Sequence, residues 1–124
     1  MARRIPVLRE AVTDVLAFEE RGDSRAVLVT TLANGVAEEV FFRGALYAAS
    51  RQHPVAISTV AYTATTAVTR NPALTLAAAG MGTLFGLQRR ASGGIQASTI
   101  THVVWSALVL RFLPPLFRRA PLVA

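Results

Sequence analysis

The 124-residue sequence contains no cysteine, no lysine and no acidic residue after Glu39. Without cysteine there can be no disulfide scaffold, thiolate metal site or cysteine nucleophile. Without lysine there can be no amine nucleophile and no Walker-type phosphate loop, and all 13 basic residues are arginine. Charge of any sign is scarce: charged residues make up 16% and apolar residues 52%, with a mean hydropathy of +0.43. Soluble domains carry about a quarter charged residues, so this composition leans toward a membrane and away from disorder. The length suits one ordinary domain, or four to five helices of membrane length.

The net charge of +6 is unevenly spread. Residues 1–39 hold five arginines and all seven acids, whereas residues 40–124 hold eight arginines and no acid. Past Arg43 the arginines stand at 51, 70, 89, 90, 111, 118 and 119, mostly where apolar runs end. Arginines at the ends of apolar helices suit headgroups and snorkelling. Nucleic-acid binding would require them clustered on one face among aromatics, so no nucleic-acid partner is expected.

Residues 1–25 read as an amphipathic helix followed by a polar turn, with Ile5, Leu8, Val12, Val15 and Leu16 near helical spacing and Asp23 or Ser24 as N-cap. Glu10 and Asp14 inside it argue against a signal peptide. Four apolar segments follow, at 26–50, 54–69, 73–88 and 95–113, the last stopping at Pro114-Pro115. Their Ala and Leu content and their length favour helix over strand. The expected fold is therefore all-α: a polytopic membrane bundle of about four apolar helices over 26–113, favoured over a soluble helical bundle, behind an amphipathic N-terminal segment at 1–25 and before a tail at 114–124. The first and fourth segments reach the roughly 20 residues that a bilayer core requires. The second is short and carries six hydroxyls, which predicts shielding by its neighbours. The third spaces Ala78, Gly82 and Gly86 by four, a pattern of close helix contact in membranes.

The most informative residues are Glu38, Glu39 and Arg43, in the string EEVFFRG. Adjacent carboxylates flanked by apolar sequence are costly to bury in lipid or in a core. Glu39 and Arg43 are four apart with the acid N-terminal, the favourable orientation for an ion pair. Glu38 points about 100° away and shares a stripe with Asn34 and Phe42. Loss of water beside the aromatic would make Glu38 a better proton acceptor and a candidate general base. The alternative is a structural Glu39–Arg43 pair with Glu38 solvated at a helix end.

A second constellation lies in the last apolar segment. Ser98, Thr99, His102 and Ser106 form a polar stripe at three- and four-residue spacing. His102 is placed to orient a water or to bind a developing oxyanion. Its plain alternative is a histidine hydrogen-bonded to a neighbouring hydroxyl. His53, before Pro54, reads as a helix-boundary residue.

EEVFFRG, a short apolar segment and then LFGLQRRASGGIQASTITHVVWS together resemble the CAAX protease and bacteriocin-processing (CPBP, or Abi) family of intramembrane endopeptidases, over roughly residues 26–113. The resemblance implies a helical membrane bundle, in an integral membrane protein expected in the bacterial cell membrane. It also implies a peptide or protein substrate, lipidated in the prenyl-processing branch, and contact with membrane lipid. By position, Glu38 is the general base, Glu39 and Arg43 its supporting pair, and His102 the histidine of the last motif, with Ser106 where that motif often has asparagine. The family's middle motif, FxxxH, falls on Tyr62 and Thr66, and no histidine stands between 54 and 101. The family is often described as metalloproteases, and a catalytic zinc takes three protein ligands. Glu38 and His102, with Glu39 beside them, are the donors available here to a divalent metal such as zinc. A non-catalytic membrane scaffold or immunity-type relative is the second reading.

Overall fold

The computed structural model describes residues 4–20 and 23–118, with side chains described over 6–14 and 23–114. The chain runs α1 (Arg4–Glu20), α2 (Ser24–Glu38), a π-helical stretch (Glu39–Leu46), α3 (Tyr47–Ala49), α4 (Pro54–Ala67), α5 (Pro72–Ser92) and α6 (Gln96–Arg118), and no strand occurs among the described residues. Turn chemistry sets the boundaries. The Asp23 carboxylate accepts from the Arg25 N–H and caps α2. Asn71 caps α5, accepting from Ala73 and Leu74, while its amide donates to the Ala11 carbonyl and ties α1 to the α4–α5 turn. His53 takes a left-handed conformation ahead of Pro54, and Gly93, at φ 75°, ends α5 in the left-handed cap that glycine adopts without strain. Arg21, Gly22 and most of the expected tail (119–124) lie outside the described residues, as do the side chains of Ile5, Val15 and Leu16.

The structure corrects three expectations. Among the described residues, only α6 is both long and apolar enough to cross a membrane, over Gln96–Pro114; four such helices are not found. The helix α4 has 14 residues, short of the roughly 20 that a bilayer core takes, and the helical course from Ser24 to Ala49 carries four charges, at Arg25, Glu38, Glu39 and Arg43. Secondly, α6 does not stop at Pro114-Pro115 but continues to Arg118. Proline removes backbone donors yet holds φ at a helical value, so the helical course persists past both residues. Thirdly, α4 is not wrapped by its neighbours. Its hydroxyls turn back on their own helix: Thr63 donates to the Thr59 carbonyl, and Thr65 and Thr66 both donate to that of Tyr62. These three are satisfied internally, whereas the buried Thr59 hydroxyl has no partner, and Val60 faces outward at 68% exposure.

The packing follows the small residues. The helix α5 meets α4 through Ala78, Gly82 and Gly86, all buried. A Cβ on Gly86 would stand 2.9 Å from Val55, and one on Gly82 would stand 3.1 Å from Tyr62, 3.2 Å from the Arg43 guanidinium and 3.3 Å from Thr59. The helices α2 and α6 run antiparallel: Gly35 faces the His102 ring, and nearer the start of α2, Val27 and Leu28 share a groove with Ala107, Leu110 and Arg111. Gln88 donates to Thr101, joining α5 to α6. The interior is unusually polar, with Glu39, Arg43, Ser58, Ser98 and His102 buried, while Val29, Val68, Leu76, Ile100 and Phe112 face outward.

These contacts predict opposite outcomes for two glycines on one helix. Gly82→Val should destabilise the bundle by about 1–3 kcal/mol through overpacking. Gly80→Ala, which would meet nothing within 4 Å, should be neutral or stabilising by up to about 1 kcal/mol. Thermal unfolding in detergent micelles reads both, and equal effects would discount the close α4–α5 approach.

Candidate active site

The site forms where α2 passes into the π-helical stretch. Glu38 is the last residue of α2 and Glu39 the first of the wider turn. In the π register an N–H bonds five residues back instead of four; here the Tyr47 N–H bonds the carbonyls of Phe42 and Gly44. Both carboxylates reach the same imidazole. His102 Nδ1 lies 2.9 Å from Glu39 Oε1, and its Nε2 lies 3.7 Å from Glu38 Oε2. The expectation that helical geometry separates the two acids is therefore corrected: they diverge from the backbone and converge on opposite nitrogens of one ring.

The two acids have different environments. Glu39 is fully buried, and its Oε1 also accepts from Arg43 Nη1 at 3.0 Å. Glu38 keeps 30% of its side chain exposed, and its Oε1 accepts from Asn34 Nδ2 at 3.0 Å. A carboxylate oxygen held between an arginine and a ring nitrogen can only accept. His102 thus donates its Nδ1–H to Glu39, and in the neutral ring the Nε2 lone pair faces Glu38.

Arg43 organises the surrounding elements. Its Nη2 donates to the Gly82 carbonyl at 3.2 Å. Its guanidinium carbon lies 4.5 Å from the Tyr62 ring centroid and 5.1 Å from that of Phe85, distances at which an aromatic face attracts a cation. Phe85 stacks on the His102 ring at 4.8 Å, and Tyr62 stands edge-on to Phe42 at 5.2 Å. Four elements thus close on one charged cluster: the π stretch, α4, α5 and α6.

Of the residues singled out from sequence, Glu38, Glu39, Arg43 and His102 come together, and Ser106 does not join them. Because α2 and α6 are antiparallel, Glu38 lies beyond Gly35 in one direction and Ser106 lies beyond His102 in the other. No hydrogen bond among the described side chains connects Ser106 to the cluster. Ser98, on the opposite side of His102, is fully buried but donates to the Ile95 carbonyl. Thr66 is spent on the Tyr62 carbonyl. A cavity of ≈ 640 Å³ beside Val55, Thr59 and Val60 is lined by none of Glu38, Glu39 and His102. Sequence reasoning did not assign site roles to Tyr62, Phe85 or the Gly82 carbonyl. The signals were present for Tyr62, at the aromatic position of the middle motif, and for Gly82, in the small-residue stripe; a buried phenylalanine carries none.

The donors do not make a zinc site. Glu39 Oε1 is already committed to Arg43 and His102 while its Oε2 is buried with no hydrogen-bond partner, the Thr66 hydroxyl is turned to the Tyr62 carbonyl, and the Arg43 cation sits against the Glu39 carboxylate. Glu38, His102 Nε2 and the Arg43-paired Glu39 are the donors at hand, and they are not grouped as the three protein ligands of a catalytic zinc must be: no three-residue metal-binding group occurs among the described residues.

Residues 22–108 match the model of the family described as type II CAAX prenyl endopeptidase Rce1-like. No curated protein and no solved structure matches the chain.

The cluster sets an order of stability losses. Arg43→Met leaves Glu39 buried without its cation and should cost about 3–5 kcal/mol. Glu38→Gln preserves the bond from Asn34 at a half-exposed position and should cost less than about 1 kcal/mol. Chemical unfolding of the two variants checks this order, and a small loss in both would remove the ion pair from its central place.

Proposed function

The chain belongs to the Rce1-like family of type II CAAX prenyl endopeptidases, and on that premise we propose that it is an intramembrane peptidase using water activated by Glu38. That family is a membrane-embedded protease family. The observation that carries the proposal is the facing pair, Glu38 Oε2 and His102 Nε2, 3.7 Å apart. The separation is too long for a direct hydrogen bond and suits a water held by both groups.

Each neighbour has a part in the proposed step. Asn34 holds Glu38 Oε1 and leaves Oε2 for the water. Glu39 and Arg43 fix the His102 ring through Nδ1, so that Nε2 accepts from the water's second proton and orients its lone pair. Glu38 takes one proton as the water oxygen bonds to the scissile carbonyl carbon. It then returns that proton to the amide nitrogen as the C–N bond breaks, giving a free carboxylate and a free amine. The carboxylate that is partly exposed performs the chemistry, and the sealed one holds the ring. The substrate proposed is a membrane-associated peptide or protein of the CAAX type, whose lipid would anchor it beside the site. The step is routed through no metal, because the described residues hold no three-residue metal-binding group and the Glu39 carboxylate is paired with Arg43.

One observation favours a second reading, a non-catalytic scaffold. Thr66 occupies the position of the middle-motif histidine, and its hydroxyl bonds the Tyr62 carbonyl instead of the site. A single comparison separates the two readings. With a prenylated CAAX peptide in detergent or liposomes, Glu38→Gln should lower kcat by about 10²–10⁴-fold while the protein unfolds at nearly the wild-type temperature. Treatment with 1,10-phenanthroline should leave the wild-type rate unchanged. Undiminished hydrolysis by the variant would exclude Glu38 as base, and no hydrolysis by the wild type would favour the scaffold.

A further inference from the structure

Arg89 and Arg90 end the third apolar segment, where charge alone would send both to headgroups or water. The structure separates them. Arg90 is exposed, whereas Arg89 turns inward, its Nε donating to the Arg43 carbonyl at 2.9 Å and its guanidinium lying 4.7 Å from the Tyr47 ring centroid. The acceptor it has found is unusual. In an α-helix the Tyr47 N–H would bond the Arg43 carbonyl, but here it bonds Phe42 and Gly44. The π register has thus withdrawn the ordinary backbone donor from Arg43, and a side chain from α5 replaces it.

We propose that Arg89 is a positioning residue for the site: by holding the Arg43 carbonyl it stabilises the π register that aims Glu39 and Arg43 at His102. The linkage is short. The Arg43 backbone is held by Arg89, its side chain by Glu39 and the Gly82 carbonyl, and Glu39 in turn holds His102 Nδ1. The helix α5 therefore grips Arg43 at both ends, Gly82 on the guanidinium and Arg89 on the carbonyl. Releasing the carbonyl favours the ordinary α register, in which the residues after Glu38 rotate relative to α6. The His102 ring then loses its fixed orientation. Arg89 touches neither substrate nor water in this scheme.

The inference rests on the proposed reading of Glu38 and His102 for its kinetic effect, but not for its spectroscopic one. The chain has two histidines, so a His53→Asn background, with a residue that tolerates the left-handed conformation at 53, leaves a single ring signal from His102. In the full chain, Arg89→Gln should move the His102 ¹⁵N resonances away from the Nδ1–H tautomer. With a prenylated CAAX peptide it should lower kcat by about 10–100-fold at nearly unchanged KM. Arg90→Gln, with the same loss of charge one residue on, should change neither. If Arg89→Gln does not fold, Tyr47→Leu, which unseats the guanidinium, should move both readouts in the same direction. Wild-type resonances and kcat in a folded variant would overturn the inference. A shifted His102 signal in a chain whose wild type cleaves nothing would uphold the inference and sink the catalytic reading instead.

Discussion

A single oxygen atom, Oε1 of Glu39, accepts from both Arg43 and His102 in a place that water does not reach. Removing any of the three partners leaves a buried charge or a buried donor unanswered, which costs more than the ion pair itself contributes. The rest of the bundle is arranged around keeping them together. The π stretch supplies Glu39 and Arg43, α5 supplies the Gly82 carbonyl and the Phe85 ring, α4 supplies Tyr62, and α6 supplies His102. Glycine at 82 admits Tyr62 and Arg43 within 3.1 and 3.2 Å of where a Cβ would sit, and Gly35 faces the His102 ring at 3.4 Å.

A cluster of this kind makes sense in a chain that is polar inside and apolar outside. Val68 is 80% exposed and Val60 68%, while Glu39 and Arg43 are 0% exposed. In water the apolar exterior would be a broad surface for association. In lipid it is the natural outer face, and the force holding helices together shifts from apolar burial to close packing and polar contact. The α4–α5 interface, with its alanine and glycines, supplies the packing, and the Glu39–Arg43–His102 group supplies the polar contact. Thr63, Thr65 and Thr66 on α4 satisfy themselves against their own backbone, which lets a helix rich in hydroxyls present an apolar side.

Spacing made half of this site legible. Glu39 and Arg43 are four apart, Asn34 and Glu38 are four apart, and both pairs bond as that spacing suggests. The small-residue stripe on α5 likewise named a real interface. What periodicity hid was the change of period itself: a π turn leaves no signature in a 3.6-residue pattern, so the convergence of two adjacent glutamates on one ring was unforeseen. Composition hid Arg89, since an arginine at the end of an apolar run looks alike whether it turns toward headgroups or toward a vacated carbonyl. Pro114-Pro115 misled for a different reason, because proline removes donors without forbidding helical φ. Ser106 was placed by motif position, and the antiparallel packing of α2 and α6 carries it the wrong way along the helix.

The departure at Thr66 also has a structural reading. One turn before it, Tyr62 lies under the Arg43 guanidinium and edge-on to both Phe42 and His102. A histidine at 66 would add a second imidazole on the next turn of α4; this chain instead ends that turn with a hydroxyl folded onto the Tyr62 carbonyl. The site is then left with one histidine, and everything that histidine does at Nε2 depends on how firmly Nδ1 is held. That dependence raises the importance of the Glu39–Arg43 pair. With two imidazoles, a loosely held ring could be compensated by the other. With one, orientation has to come from the buried carboxylate, the guanidinium that clamps it, the α5 groups that clamp the guanidinium, and the Phe85 ring stacked on the imidazole.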